Sequence, residues 1–281
     1  MSLLSWVVYP GVTGPEQGPV LPAALYAQLR RWQLNPVAWV DKTTHGLDSG
    51  STQFFAATTN DALIISFQGS TMSVSDLGQD WIDNDLDMLP QGRSQWGRGV
   101  VLHDGFIDAA KIVFPQVKNI IEQHGQGKKI WITGHSLGGA LAVLNAMYVE
   151  KEMRRQVQGV YVYGAPPVGN ARWASSYDAA VPNTHRWSLE NDPVTAMMLQ
   201  IPGTPFRHVG ERHNLTDSGV RLDTSVELTY DFERGAGGHL FADLSGTHMD
   251  YWCRLNDEAK KQGQRGLPEP PRANCRDICA W

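Results

Sequence analysis

Few residues in this 281-residue chain combine the type and order needed for chemistry, and they centre on Gly134-His135-Ser136-Leu137-Gly138, followed by Gly139 and Ala140. A serine hydroxyl attacks a carbonyl only when an imidazole takes its proton, and a carboxylate usually orients that imidazole. As a bare pattern, Gly-x-Ser-x-Gly is weak evidence, so its surroundings carry the reading. Before it, Ile130-Trp131-Ile132 reads as a short buried strand. After it, Leu137, Leu141, Leu144 and Tyr148 share one face of a helix. So tight a strand-to-helix turn strains the serine backbone and lifts its hydroxyl clear of the sheet, and the glycines give strand and helix room to approach. The helix start then aims its unbonded N–H groups, beginning with that of Leu137, at a developing oxyanion. The plain alternative is a Gly-rich connection with no chemistry.

The order Ser, then Asp or Glu, then His belongs to the α/β-hydrolase arrangement and confines the partners to residues after Ser136. Asp192, in Leu189-Glu190-Asn191-Asp192-Pro193-Val194, follows a predicted strand at the edge where parallel sheets place functional loops. Its residues alone also fit an ordinary Asp-Pro turn. Five histidines follow the serine: His185, His208, His213, His239 and His248. His185 precedes Asp192 and drops out by order. His248, on a loop opening into Tyr251-Trp252, is favoured by a small margin, with His239 after Gly237-Gly238 as its rival.

The elements that must position these residues read as follows. Leu21, Leu25, Leu29 and Trp32 recur at helical spacing over 21–33, with Pro22 suited to a first turn. Segments 52–59 and 62–67 read as two strands joined at Asn60-Asp61. Phe106, Ala110, Val113, Val117, Ile120 and Ile121 mark a helix containing Pro115. Strand 129–133, helix 137–153 and strands 159–163 and 185–189 alternate, which implies a mostly parallel central sheet with helices on both faces. The reading is one α/β domain over 1–281, with its core at about 60–252 and a Pro/Arg/Gly-rich surface extension at 260–281.

At this length one large core is expected. A formal charge of −5 offers no electrostatic reason to bind nucleic acid or an anionic membrane. No apolar run reaches the 18 or so residues of a membrane span. The apolar start, Met1 to Val8, lacks a basic lead and does not read as a signal peptide. A literal reading is cytoplasmic, with secretion open if a leader is removed. Cys253, Cys275 and Cys279 fit no zinc or redox spacing and read as reduced thiols, with one disulfide as the alternative. No ligand cluster suggests a metal, and the serine chemistry requires no cofactor.

Taken together, several ordered motifs resemble the class 3 lipase family over about residues 60–252. They are Phe67-Gln68-Gly69-Ser70, His103-Asp104-Gly105-Phe106, the Ser136 motif, Gly164-Ala165-Pro166-Pro167-Val168-Gly169-Asn170, Asn191-Asp192-Pro193-Val194, and His248 with Tyr251-Trp252. The resemblance implies an α/β-hydrolase fold with a lid, Asp192 as the triad acid and His248 as the base. It also implies Ser70 as an oxyanion donor beside the N–H of Leu137. The chain departs from the family at Gln68, where Arg is usual, and in a longer stretch from Ser70 to Trp81.

In the family that stretch is a helical lid. Here Val74, Leu77 and Trp81 share one helical face suited to covering the site, while Asp76, Asp80, Asp83, Asp85 and Asp87 make the outer face acidic. A solvated loop anchored by Trp81 is the alternative. The resulting expectation is a carboxylic ester hydrolase, a triacylglycerol lipase or broad-range esterase, meeting lipid or other ester substrates with transient lipid-surface contact through the lid. Phospholipase A1 or feruloyl/short-chain esterase activity is the alternative within that chemistry, and a non-catalytic lipid-binding protein is the remote one.

Overall fold

The computed structural model describes residues 1, 4–5, 21–43, 51–69, 91–92, 96–189, 192–196, 205–216, 219–223 and 251–263. Its frame is an eight-stranded sheet. In chain order the strands are β1 (Asn35–Thr43), β2 (Ser51–Thr58), β3 (Ala62–Phe67), the two-residue β4 (Gln91–Gly92) and β5 (Val101–Leu102), β6 (Lys129–His135), β7 (Val157–Tyr163), β8 (Gly169–Asn170), β9 (Thr184–Leu189), β10 (Phe206–Arg207), β11 (Glu211–Thr216) and β12 (Gly219–Asp223). The helices are α1 (Ala23–Arg31), α2 (Asp104–His124), α3 (Leu137–Glu152), α4 (Ala171–Ala180) and α5 (Tyr251–Lys261).

The main sheet runs β1-β2-β3-β6-β7-β9-β11-β12, and β4, β5, β8 and β10 form a small separate sheet. From β3 through β11 all neighbours are parallel, while β1, β2 and β12 add antiparallel edges. This is an α/β-hydrolase fold with a mainly parallel sheet. The expected hairpin at Asn60-Asp61 is present, held by Thr59, whose Oγ1 accepts from the N–H of Ala62 at 3.0 Å.

Period-two alternation splits the core into two layers. Phe54, Ala56, Leu63, Ile65 and Phe67 face α2, α3 and α4, whereas Phe55, Ala57 and Ile64 face α1 and the start of α5. In α3 every residue from Gly138 to Val149 is buried, because the helix is covered by the sheet below and by α2 beside it. A helix apolar all round is what such a position demands. Fully burying Leu141 or Leu144 contributes about 1.5–3 kcal/mol each.

Sequence reading did not assign β1, β11, β12 or α4. Asn35-Pro36 opens β1, and a proline does not suggest a strand. The position is tolerated because β1 is an edge, where the register slips between Pro36 and Ala38.

His103, one of the motif residues, caps α2. Its Nδ1 accepts from the N–H of Phe106 at 3.2 Å, and the two rings lie 4.1 Å apart. A cap that accepts through nitrogen must be neutral, and burial holds this imidazole down to about 4. Between that value and the ordinary one near 6.5, the unfolded chain binds the extra proton, so stability rises with pH through this window. We expect the urea midpoint to fall on acidification from pH 7 to 4, with this residue supplying on the order of 3 kcal/mol. In His103→Asn, which keeps a capping oxygen, the acid-induced fall should be visibly smaller. An equal fall in both proteins would contradict this account.

Candidate active site

Ser136 closes the turn between β6 and α3 with φ 57° and ψ −131°. A non-glycine residue at positive φ is strained, and such strain survives only where the surroundings over-determine it. Here they do. The Ser136 N–H donates to the Tyr163 carbonyl at 2.9 Å, and the Ser136 carbonyl accepts from Gly139 at 2.9 Å. The turn is closed so tightly that a Cβ on Gly134 would stand 2.7 Å from the nitrogen of Gly139. One on Gly138 would stand 2.7 Å from the carbonyl carbon of Gln68. The end of β3 therefore crosses directly beside the head of α3. Ser136 is 7% exposed, and the N–H of Leu137 precedes the first intrahelical acceptor and points along the helix axis.

Asp192 is 2% exposed and follows β9. Its Oδ1 accepts from the N–H of Val194 at 3.0 Å and its Oδ2 from the hydroxyl of Tyr251 at 2.6 Å. That hydroxyl in turn accepts from the N–H of Leu189 at 2.8 Å. Burial, then the Asp192 charge, pushes the Tyr251 phenol well above its ordinary range, so it remains a donor. The Tyr251 ring also stands edge-on to the buried His135, with centroids 5.8 Å apart. The first residue of α5 thus joins the ends of β6 and β9. Sequence reading noticed Tyr251 only as part of a motif and gave it no role. Its position three residues after His248 was the available signal.

The fold accounts for three of the five downstream histidines. The half-buried His208 donates from Nε2 to the Thr195 carbonyl at 2.6 Å, and desolvation, then the Arg186 charge, holds it well below the usual imidazole range. His185 and His213 pair with each other at 2.9 Å. His239 and His248 lie outside the described residues, as do Ser70 and the expected lid residues Val74, Leu77 and Trp81. Gln68 is buried, its N–H donating to the Gln53 carbonyl at 2.9 Å, and its Oε1 has no partner among the described residues. Cys253 is disulfide-bonded, in place of the reduced thiol expected, with its partner outside the described residues.

Sequence reading also found no metal-ligand cluster, yet the pairing of β9 with β11 gathers His185, Glu211 and His213 with ligand atoms within 4.8 Å of one another. Their spacing, 185 against 211 and 213, has no recognisable pattern. Only the strand register brings them together.

Residues 64–201 match the family model described as Lipase (class 3). The chain is 32% identical over 167 residues to a chloroplastic phospholipase A1-Igamma2 of Arabidopsis thaliana, covering 50% of this chain and 31% of that protein. It is 25% identical over 158 residues to a secreted mono- and diacylglycerol lipase of Malassezia globosa, covering 54% and 49%. The chain thus spans under half the length of these relatives. Among solved structures, the Rhizomucor miehei triacylglyceride lipase superposes with a TM-score of 0.58 at 25% identity, over 77% of this chain and 79% of that one.

Tyr251→Phe removes a donor to Asp192 and strands the buried N–H of Leu189. We expect a stability loss of about 1–3 kcal/mol by urea denaturation, together with a fall in kcat that exceeds any change in KM. Unchanged stability and kcat would show that the hydroxyl supports neither.

Proposed function

The chain belongs to the class 3 lipase family, and on that premise we propose that it hydrolyses carboxylic esters of lipids through an acyl-enzyme, with Ser136 as nucleophile, His248 as base and Asp192 as orienting acid. The observation that carries this reading is Ser136 held at positive φ at the head of α3, the conformation that presents a nucleophile clear of the sheet. Asp192, fixed by Tyr251 and Val194, supports it. His248 stands three residues before Tyr251 in the chain, a tether that cannot exceed about 11 Å between Cα atoms.

In this mechanism the Ser136 oxygen bonds the ester carbon while its proton passes to His248. The tetrahedral oxyanion is met by the N–H of Leu137 and by Ser70, two residues along the chain from the Gln68 backbone that meets the head of α3. Each such donor is worth roughly 3–4 kcal/mol of barrier. Collapse breaks the carbon–oxygen bond and the alcohol leaves with the proton from His248. Water, deprotonated by the same imidazole, then releases the acid and restores the serine.

Within lipid esters, acylglycerols are the first reading, favoured by the lipases among the relatives. Phospholipase A1 activity is the second, favoured by the plastid relative. Transient contact with a lipid surface through residues 71–89 belongs to the same proposal. The disulfide at Cys253 and the secreted relative favour an oxidising compartment outside the cytosol.

Ser136→Ala should abolish hydrolysis of p-nitrophenyl butyrate and tributyrin with the fold intact. His248→Ala should lower kcat by at least roughly 10³-fold, whereas His239→Ala should do far less. Activity of Ser136→Ala within tenfold of the parent would end the assignment, and the reverse order of the histidine variants would move the base to His239.

The segment around Val74, Leu77 and Trp81 is tested separately. Exposing a few such side chains costs on the order of several kcal/mol at about 25 cal/mol per Å². The tributyrin rate should therefore rise a few-fold as substrate passes its solubility limit, and this step should shrink in Trp81→Ala. A smooth hyperbola in both proteins would indicate a fixed loop and an esterase of soluble substrates.

A further inference from the structure

We propose that His185, Glu211 and His213 form a binding site for a divalent cation of the zinc class, which ties β9 to β11. Glu211 pairs with His185 across the two parallel strands and His213 with Trp187, so the three side chains fall on one face of the sheet. Their ligand atoms form a nearly regular triangle. His185 Nδ1 lies 2.9 Å from His213 Nε2 and 3.4 Å from Glu211 Oε2, and His213 Nε2 lies 3.6 Å from the same oxygen. For metal–ligand bonds of about 2.1 Å, adjacent corners of a tetrahedron stand roughly 3.4 Å apart. One ion above the triangle thus reaches all three with little movement.

The surroundings prepare these atoms as ligands. Asn183 donates through Nδ2 to the Gln158 carbonyl, which turns its Oδ1, 3.0 Å away, toward His185 Nε2. An oxygen there calls for the proton on Nε2 and leaves the lone pair of Nδ1 facing the triangle, the outer arrangement typical of metal-bound imidazoles. The ring planes are fixed as well: His185 stacks on Tyr161 at 4.8 Å and His213 on Trp187 at 4.5 Å. The intervening Arg186 and Arg212 alternate to the opposite face, where Arg212 donates to Ser188 at 2.9 Å. The Glu211 side chain is half exposed, leaving a solvent path and open positions for water.

Two imidazoles and one carboxylate suit zinc and its neighbours in the first transition row rather than calcium or magnesium, which take oxygen ligands. The site stands apart from the serine. His213, Trp187, Tyr163 and His135 occupy one row across the sheet, so three strand spacings of about 4.8 Å separate His213 from the strand that leads into Ser136. A bound ion would therefore act on the frame, fastening β9 below the point where it leads to Asp192.

The test uses the full chain without an affinity tag, stripped by chelator and titrated with Zn²⁺ in a calorimeter. One equivalent should bind, and saturating Zn²⁺ should raise Tm by on the order of 5 °C. Co²⁺ in its place should give a visible ligand-field spectrum. Both effects should vanish in the His185→Ala, His213→Ala double variant. Should that protein fail to fold, Glu211→Gln, changed only at a half-exposed side chain, should bind Zn²⁺ at least roughly tenfold more weakly. A parent that takes up no stoichiometric Zn²⁺, as expected of a histidine pair that merely shares a proton, would overturn the proposal. So would Glu211→Gln binding Zn²⁺ as tightly as the parent.

Discussion

The close approach of strand β6 to helix α3 is the constraint on which the other features of the site depend. Backbone meets backbone there with no space for a Cβ at Gly134 or Gly138. The turn between them has no relaxed solution, and Ser136 takes a positive φ that a serine left to itself would avoid. A strand bond to Tyr163 holds the turn from outside, and α3, buried from Gly138 to Val149, cannot withdraw. The same contact brings the Gln68 backbone beside the helix start. One steric fact therefore orients the proposed nucleophile, aims a helix terminus and locates the strand that leads to the proposed oxyanion donor.

The acid side of the site is built differently, by hydrogen bonds rather than by contact. Asp192 lies almost fully out of water, where an unpaired carboxylate would be costly. Val194 and Tyr251 each satisfy one of its oxygens. Tyr251 is shared three ways, among Asp192, the end of β9 and the ring of His135. This makes α5 the joint between the C-terminal ends of the parallel strands. His208 behind Thr195 stiffens the same turn from the other side. Histidines thus serve three distinct ends in one fold: helix capping at His103, turn support at His208, and the paired cluster of His185 with His213.

The alternation of side chains across the sheet keeps these uses apart. Odd positions of β9 and β11 carry His185, Trp187, Glu211 and His213 to the face bearing α5. Even positions carry Arg186, Ser188, Arg212 and Asn214, of which Ser188, Arg212 and Asn214 are joined by hydrogen bonds. A cation-binding face and an arginine-lined face share the same two strands without mutual cost, because the pleat separates them.

Local signals were enough to read β2, β3, β6, β7 and β9, α1, α2, α3 and the turn carrying Ser136, since each rests on hydrophobic period and turn chemistry within about fifteen residues. The order of Ser136, Asp192 and the late histidines is likewise a one-dimensional property; it removed His185 as the base, and local context then favoured His248 over His239 by a small margin. What the sequence left open were contacts between residues distant along the chain. The tyrosine that holds Asp192 lies 59 residues away. The edge strand β1 begins with a proline and became a strand only through pairing with β2. The His185–Glu211–His213 cluster exists only in the register of β9 against β11. Cys253, which spacing suggested was a free thiol, is in a disulfide. In each case the deciding energy comes from a partner distant along the chain, and no pattern of neighbours encodes which partner that will be.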